Sequence, residues 1–201
     1  MEIKRIPAGI YAANCYIVVD EKTKEAVVLD PGGDVEDIYS FIQSKNAKVK
    51  YILLTHGHRD HTDGVDELKS LVNAPVCINE KDEKLMKSGE YMFGKLKDGK
   101  ADILLKENDI IEFGDNLKIK CIETPGHTPG GMSFAIGNVV FTGDSLFSLS
   151  IGRTDFPGGD SYTLINSIKT KLFTMSDDTI VYPGHSMGTS IGREKENNPF
   201  F

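Results

Sequence analysis

Sulfur is scarce in this chain: 201 residues carry three cysteines, Cys15, Cys77 and Cys121, with no CxxC spacing among them. A disulfide framework and a CxxC redox or zinc motif are thereby excluded. Such a scattered odd set reads as free thiols packed as small core residues in a reducing compartment. Long apolar runs are absent as well, and Met1-Glu2-Ile3-Lys4-Arg5 lacks the apolar stretch of a signal peptide. The expectation is a cytoplasmic protein with no membrane partner. Positive charge is in deficit, with 23 Lys and Arg against 30 Asp and Glu and a net charge of −7. A broad nucleic-acid surface needs clustered cations, so nucleic acid is not an expected partner, although a local basic patch could still take an anionic small molecule. No linker-like or low-complexity stretch divides the chain, which is read as one domain over residues 1–201.

Hydrophobic patterning repeats one theme twice. Asn14–Val19 and Ala26–Leu29 read as short β-rich strands, and Asp30-Pro31-Gly32-Gly33 as a turn. Asp34 is placed to cap a helix running to about Gln43, with Val35, Ile38, Phe41 and Ile42 on one face. Tyr51-Ile52-Leu53-Leu54 suits a strand buried on both faces, and a helix with Val65, Leu68, Leu71 and Val72 inward follows. Residues 79–108 are charged and weakly patterned around the apolar Tyr91-Met92-Phe93. They read as a solvated helix and loop, or as a flap over the active site. Residues 110–113, 117–123, 132–136 and 139–142 read as strands, with Gly137-Asn138 a tight turn between the last two. A helix over 161–173, capped by Asp160 or Ser161, and a final strand over 179–182 complete the pattern. Strands then helix, twice over, implies two packed sheets with helices outside.

Histidine is also scarce, and none of the five is spare. Three lie in Thr55-His56-Gly57-His58-Arg59-Asp60-His61, one in Thr124-Pro125-Gly126-His127-Thr128-Pro129-Gly130, and one in Tyr182-Pro183-Gly184-His185. His56 and His58 are two apart, so on an extended segment both rings reach one ion. Asp60 and His61 follow on the loop and point elsewhere, which favours a second ion. His127, Asp144 and His185 each follow a strand and sit beside Gly or Pro, which frees or fixes the backbone for close approach to a metal. The spacing is not the helical one, in which ligands stand four apart. Asp30, Thr55 and Thr124 are candidates to orient the imidazoles through their second ring nitrogen.

With these residues in view, the chain resembles the metallo-β-lactamase superfamily over nearly its whole length. Thr55–His61 matches that family's THxHxDH signature, and His127, Asp144 and His185 follow in the same order. The resemblance implies an α/β fold, a four-layer αββα sandwich with the site at one edge. It implies His56, His58 and His127 around one metal, Asp60, His61 and His185 around a second, and Asp144 bridging. Two divalent ions follow as cofactors, zinc first, with iron or manganese as alternatives. Asp rather than Cys at 144, with Gly143-Asp144-Ser145-Leu146-Phe147 and Gly152-Arg153-Thr154-Asp155, is similar to short bacterial members of the glyoxalase II (hydroxyacylglutathione hydrolase) branch. Other members carry a C-terminal helical domain that helps grip glutathione, whereas this sequence ends at Phe201. Ser186-Met187-Gly188 stands where a Tyr often follows the last ligand. Arg153 stands near the position of a basic substrate-binding residue and is the candidate anchor for an anionic substrate, or else a salt-bridge partner of Asp155 or Asp160.

Two ions roughly 3.5–4 Å apart can share and activate one water, with Asp60 as the catalytic carboxylate that orients it. With every histidine committed to metal, no spare imidazole acid remains. A thiolate, whose thiol has a pKa of about 8.5, leaves with little protonation. The function expected is therefore hydrolysis of a small-molecule thioester, S-D-lactoylglutathione or a related acyl-thiol. Gly152-Arg153-Thr154-Asp155-Phe156 also resembles persulfide dioxygenases of the same fold, and that resemblance implies the alternative, one iron held by His56, His127 and Asp144. A nuclease is disfavoured by the acidic charge, and a non-catalytic relative by the complete ligand set.

Overall fold

All seven residues of one strand, Ala13–Val19, are buried, and alternate side chains serve different cores. Cys15, Ile17 and Val19 face a core shared with helices, whereas Tyr16 and Val18 face a core shared with a second sheet. The computed structural model, which describes residues 1–201, builds its layers from this alternation.

One sheet holds β1 (Glu2–Ala8), β2 (Ala13–Val19), β3 (Glu25–Leu29), β4 (Lys48–Leu53), β5 (Val76–Asn79) and β6 (Ile103–Leu105), in that order. The first three are antiparallel, and β3 to β6 run parallel. The other holds β7 (Ile110–Phe113), β8 (Leu117–Glu123), β9 (Met132–Ile136) and β10 (Val139–Gly143), then β13 (Ile180–Pro183) and β14 (Thr189–Ser190). A hairpin of β11 (Leu146–Phe147) and β12 (Ser150–Ile151) stands apart. Helices α1 (Val35–Ser44), α3 (Val65–Val72) and α4 (Glu80–Ser88) cover the first sheet through Val35, Ile38, Val65, Leu68 and Met86. On the second sheet, α5 (Ser161–Ser167), widening into a π-helical turn over 168–172, and α6 (Ile191–Asn197) pack Leu164, Ile168, Leu172 and Ile191 against Val140 and Val181. Between the sheets lie Leu29, Leu53, Phe134 and Phe141. Helix, sheet, sheet and helix are thus separated by three apolar cores, the expected αββα sandwich.

Several expectations need correction. Leu71 is 46% exposed and does not join the α3 face. Asp34 precedes α1 but does not cap it; its carboxylate accepts the Gly9 N–H at 2.8 Å instead. Residues 79–108 combine parts of both readings, since they contain a helix and place Tyr91 and Met92 over the site, but they are more than a solvated segment. They supply α4 and β6, and they bury Phe93, Leu96 and Ala101 in the helix-side core. The sequence pattern assigns no element to β1, β5, β6, the β11–β12 hairpin, β14, α6 or the helical turn over Arg59–Thr62. The α5 cap is as expected, with Asp160 Oδ1 accepting the Thr163 N–H at 2.7 Å. All three cysteines are free and buried, and burial pushes the thiols of Cys77 and Cys121 up to about 12. No helix is long and apolar enough to cross a membrane.

Candidate metal centre

The strands β4, β8, β10 and β13 release their chains at one edge of the sandwich, and every sequence-predicted ligand follows the end of one of them. The Thr55–His61 loop comes after β4, His127 after β8, Asp144 directly after β10, and His185 after β13. The Met132 N–H donates to the Thr55 carbonyl at 2.7 Å, tying the two sheets at this edge.

All seven predicted residues meet. His56, His58 and His127 form one group of donor atoms within metal-sharing distance; His56, His61 and Asp144 form a second; Asp60, His61 and His185 form a third. The α2 turn (Arg59–Thr62) carries Asp60 and His61 round to the far side of the centre. Asp144 joins the halves. Its Oδ1 stands 3.4 Å from His61 Nε2, while its Oδ2 stands 3.6 Å from His127 Nε2 and 3.7 Å from His185 Nε2.

Acceptors behind the rings fix which nitrogen faces the centre. His127 Nδ1 meets the Arg153 carbonyl at 2.6 Å, and a carbonyl only accepts, so the Nε2 lone pair points inward. His61 Nδ1 likewise meets Asp30 Oδ2 at 3.1 Å. Thr55 donates its hydroxyl to Asp30 at 2.6 Å and offers its oxygen to His56 Nδ1 at 3.1 Å. Asp30 reaches both by taking up φ 51°, a left-handed conformation that a β-carbon disfavours. Asp30 and Thr55 therefore orient ligands as expected. Thr124 does not: its hydroxyl bonds Ser133 and Ser145 and touches no imidazole.

A cation is what the donors lack. His56 Nε2, His61 Nε2 and Asp144 Oδ1 are buried without a hydrogen-bond partner, and unsatisfied buried polar atoms are costly. His58 Nδ1 and His127 Nε2 face each other at 3.0 Å. Burial drives His56 well down and His58 to about 3, so both rings present neutral lone pairs. His61 is driven up despite its burial, because Asp144 and Asp30 flank it. Asp144 is held well below the usual carboxylate range although it is buried, with His61 as the main cause. Neutral imidazoles on one side and a carboxylate-rich half on the other suit divalent metal ions.

Close approach constrains the backbone at two glycines. A β-carbon at Gly184 would lie 2.2 Å from Asp144 Oδ1, and one at Gly152 would lie 1.8 Å from the Asp144 carbonyl. A cleft of about 830 Å³ opens over the centre, lined in part by His58, Asp60, His127, Asp144, His185 and Arg153. Arg153 is 66% exposed at its side chain and forks onto Asp155 at 2.9 and 2.6 Å, so its carboxylate partner is Asp155, not Asp160.

Sequence reading missed Asp82. It is fully buried and accepts the Gly57 N–H at 2.9 Å, the Thr128 hydroxyl at 2.8 Å and the Gly130 N–H at 2.6 Å. One carboxylate thus clamps the loop of His56 and His58 to the loop of His127. The cleft walls Tyr11, Phe147 and Phe156 were missed as well.

Comparison with known proteins agrees with this geometry. Residues 8–185 match the family model described as the metallo-beta-lactamase superfamily. Hydroxyacylglutathione hydrolase GloC of Haemophilus influenzae is 39% identical over 208 residues, covering all of this chain and 98% of that protein. The crystal structure of the BLEG-1 B3 metallo-beta-lactamase superposes with a TM-score of 0.90 at 35% identity, covering 99% of each chain. TTHA1623, in a di-iron-bound form, superposes with a TM-score of 0.85 at 32% identity over 98% of this chain and 100% of that one.

Proposed function

The chain belongs to the metallo-β-lactamase superfamily, and on that premise we propose a binuclear metal-dependent hydrolase that cleaves thioesters, S-D-lactoylglutathione or a related acyl-thiol. The observation that carries the reading is Asp144, whose carboxylate stands within 3.7 Å of His127 in one half of the cluster and of His61 and His185 in the other. His56, His58 and His127 would hold one ion, Asp60, His61 and His185 the other, and Asp144 both. Zinc is the first expectation, and the same donors accept iron or manganese. The likeness to a di-iron-bound structure supports iron as a real alternative. Bound there, the ions supply Lewis acidity to a carbonyl oxygen and to water.

The side chains do the rest. Asp60 lines the cleft, and only its Oδ2 is engaged by His185, at 3.1 Å; its Oδ1 is left to orient the attacking water. Asp30 and the Arg153 carbonyl hold His61 and His127 in one tautomer, so neither of these rings need turn during the reaction. All five rings are committed to the centre, and none remains to protonate a leaving alkoxide or amine. A thiolate needs no such acid. The name of the GloC relative supports the same substrate class. Arg153, on the rim, is proposed to contact the substrate away from the reacting carbon. The partner is a small molecule, neither nucleic acid nor a membrane.

A second reading, a persulfide dioxygenase with one iron on His56, His127 and Asp144, is favoured by one feature: His56 shares a donor group with each of the other two, and His127 Nε2 stands 3.6 Å from Asp144 Oδ2. Metal-loaded protein assayed on S-D-lactoylglutathione, with oxygen uptake on glutathione persulfide followed in parallel, separates the two. Thiol release without oxygen uptake supports the hydrolase. Oxygen uptake with one iron per chain replaces it.

A further inference from the structure

Five apolar side chains, Tyr11, Tyr91, Met92, Phe147 and Phe156, wall the cleft above the metal centre. They come from separate parts of the chain: the β1–β2 loop, the loop after α4, β11, and the loop before α5. Tyr11 and Tyr91 are 68% and 63% exposed, and Ile10 and Met187, next in sequence to two lining residues, are bared beside them. Apolar surface gathered round a functional mouth marks a binding surface. It begins at the ligands themselves. The Phe156 ring centroid is 5.7 Å from that of His58, and the Phe147 centroid is 6.2 Å from that of His185. One aromatic ring thus stands against each half of the centre.

The charges of the cleft point the same way. Its lining holds two cations, Arg59 and Arg153, and no lysine. Arg59 Nε is spent on the Phe93 carbonyl at 3.2 Å. Arg153 is already forked by Asp155, and its guanidinium lies 4.2 Å from the Phe156 ring centroid. A substrate carboxylate would have to displace Asp155, whereas a flat apolar group meets a ready surface. Glutathione carries two carboxylates, and the lining offers them no lysine, an Arg153 already forked by Asp155, and only the terminal nitrogens of Arg59.

We infer that the cleft selects thioesters with an apolar or aromatic acyl group, and that it draws little from the charged arm of a glutathione thiol. The inference rests on the thioesterase reading above.

Four thioesters test it on the metal-loaded protein: lactoyl and phenylacetyl, each on glutathione and on the neutral thiol N-acetylcysteamine. The expected kcat/KM is higher for phenylacetyl than for lactoyl by about tenfold or more on both thiols, the worth of burying one ring. Exchanging glutathione for N-acetylcysteamine changes it by less than about threefold. Tyr91→Ala raises KM for the phenylacetyl esters by about tenfold and leaves the lactoyl esters within about twofold. Preference for lactoylglutathione over the phenylacetyl esters overturns the inference while keeping the thioesterase, and so do equal rates across the panel. Hydrolysis of none of the four with both ions bound overturns the thioesterase reading and this inference with it.

Discussion

Asp82 accepts the backbone N–H of Gly57 at 2.9 Å, so a buried carboxylate on α4 holds the glycine that separates His56 from His58. The same side chain holds Thr128 and Gly130, which follow His127 in its loop. Burial pushes its carboxyl up, and three donors offset that only in part. Asp82→Asn replaces an acceptor oxygen with an N–H. It is expected to weaken metal binding by about 10–100-fold, the usual cost of losing a residue behind a ligand. It should also cost about 3 kcal/mol of stability. Chelator competition and a thermal melt measure the two. A lowered melting temperature with unchanged metal affinity would make the clamp structural only.

Asp30 acts on one half of the centre more than the other. It contacts His61 directly but reaches His56 only through the Thr55 hydroxyl. Asp30→Ala should lower affinity for the ion on Asp60, His61 and His185 by about 10–100-fold and spare the other more. Elemental analysis after limited chelation should find about one ion per chain where the unchanged protein keeps two. Equal loss from both halves contradicts this account of Asp30.

Gly184 is set by proximity. A methyl there meets Asp144 Oδ1 at 2.2 Å and His61 Cε1 at 2.8 Å. Gly184→Ala is expected to cut kcat/KM by more than about tenfold with far-UV circular dichroism unchanged, because the clash falls on the centre and not on a core. Full activity in the alanine variant would show that this backbone is free to move.

Away from the site, Asp20 staples the two sheets. Its carboxylate accepts the Thr23 hydroxyl at 2.7 Å and the Asp115 N–H at 2.7 Å, joining the end of β2 to the β7–β8 turn. The Thr23 bond first, and the Asp115 bond next, lower its pKa to about 2. A lowered carboxylate pKa stabilises the fold above the unfolded value of about 4. That contribution disappears as pH falls through about 2. Melting temperatures between those limits should fall less steeply for Asp20→Asn than for the unchanged protein; parallel curves would contradict the assignment.

The candidate ligands were legible because each of the four segments that carry them follows an apolar strand and holds a Gly or Pro, and because no histidine lies elsewhere. The two-sheet, helix-covered architecture was legible for a related reason. Tyr51-Ile52-Leu53-Leu54 is apolar at every position, as a strand between two cores must be, and its residues do alternate between them. Asp82 was hidden because it stands among charges in Glu80-Lys81-Asp82-Glu83-Lys84, where only the helix register buries Asp82 and Glu83 and exposes Glu80, Lys81 and Lys84. β1 pairs at the edge of its sheet with half-exposed residues and a proline, which leaves a weak strand pattern. Thr124 matched the expected place for an orienting residue, but its hydroxyl is taken by Ser133 and Ser145. Such competition for a hydrogen bond is visible only in three dimensions.

The central claim is that two ions on one shared carboxylate make a thioesterase. Chelator-stripped protein titrated with zinc, its rate of thioester hydrolysis read at each addition, tests it most directly. The account predicts activity that becomes maximal only when about two equivalents are bound. Maximal hydrolysis at one equivalent, or none with both sites filled, would contradict it.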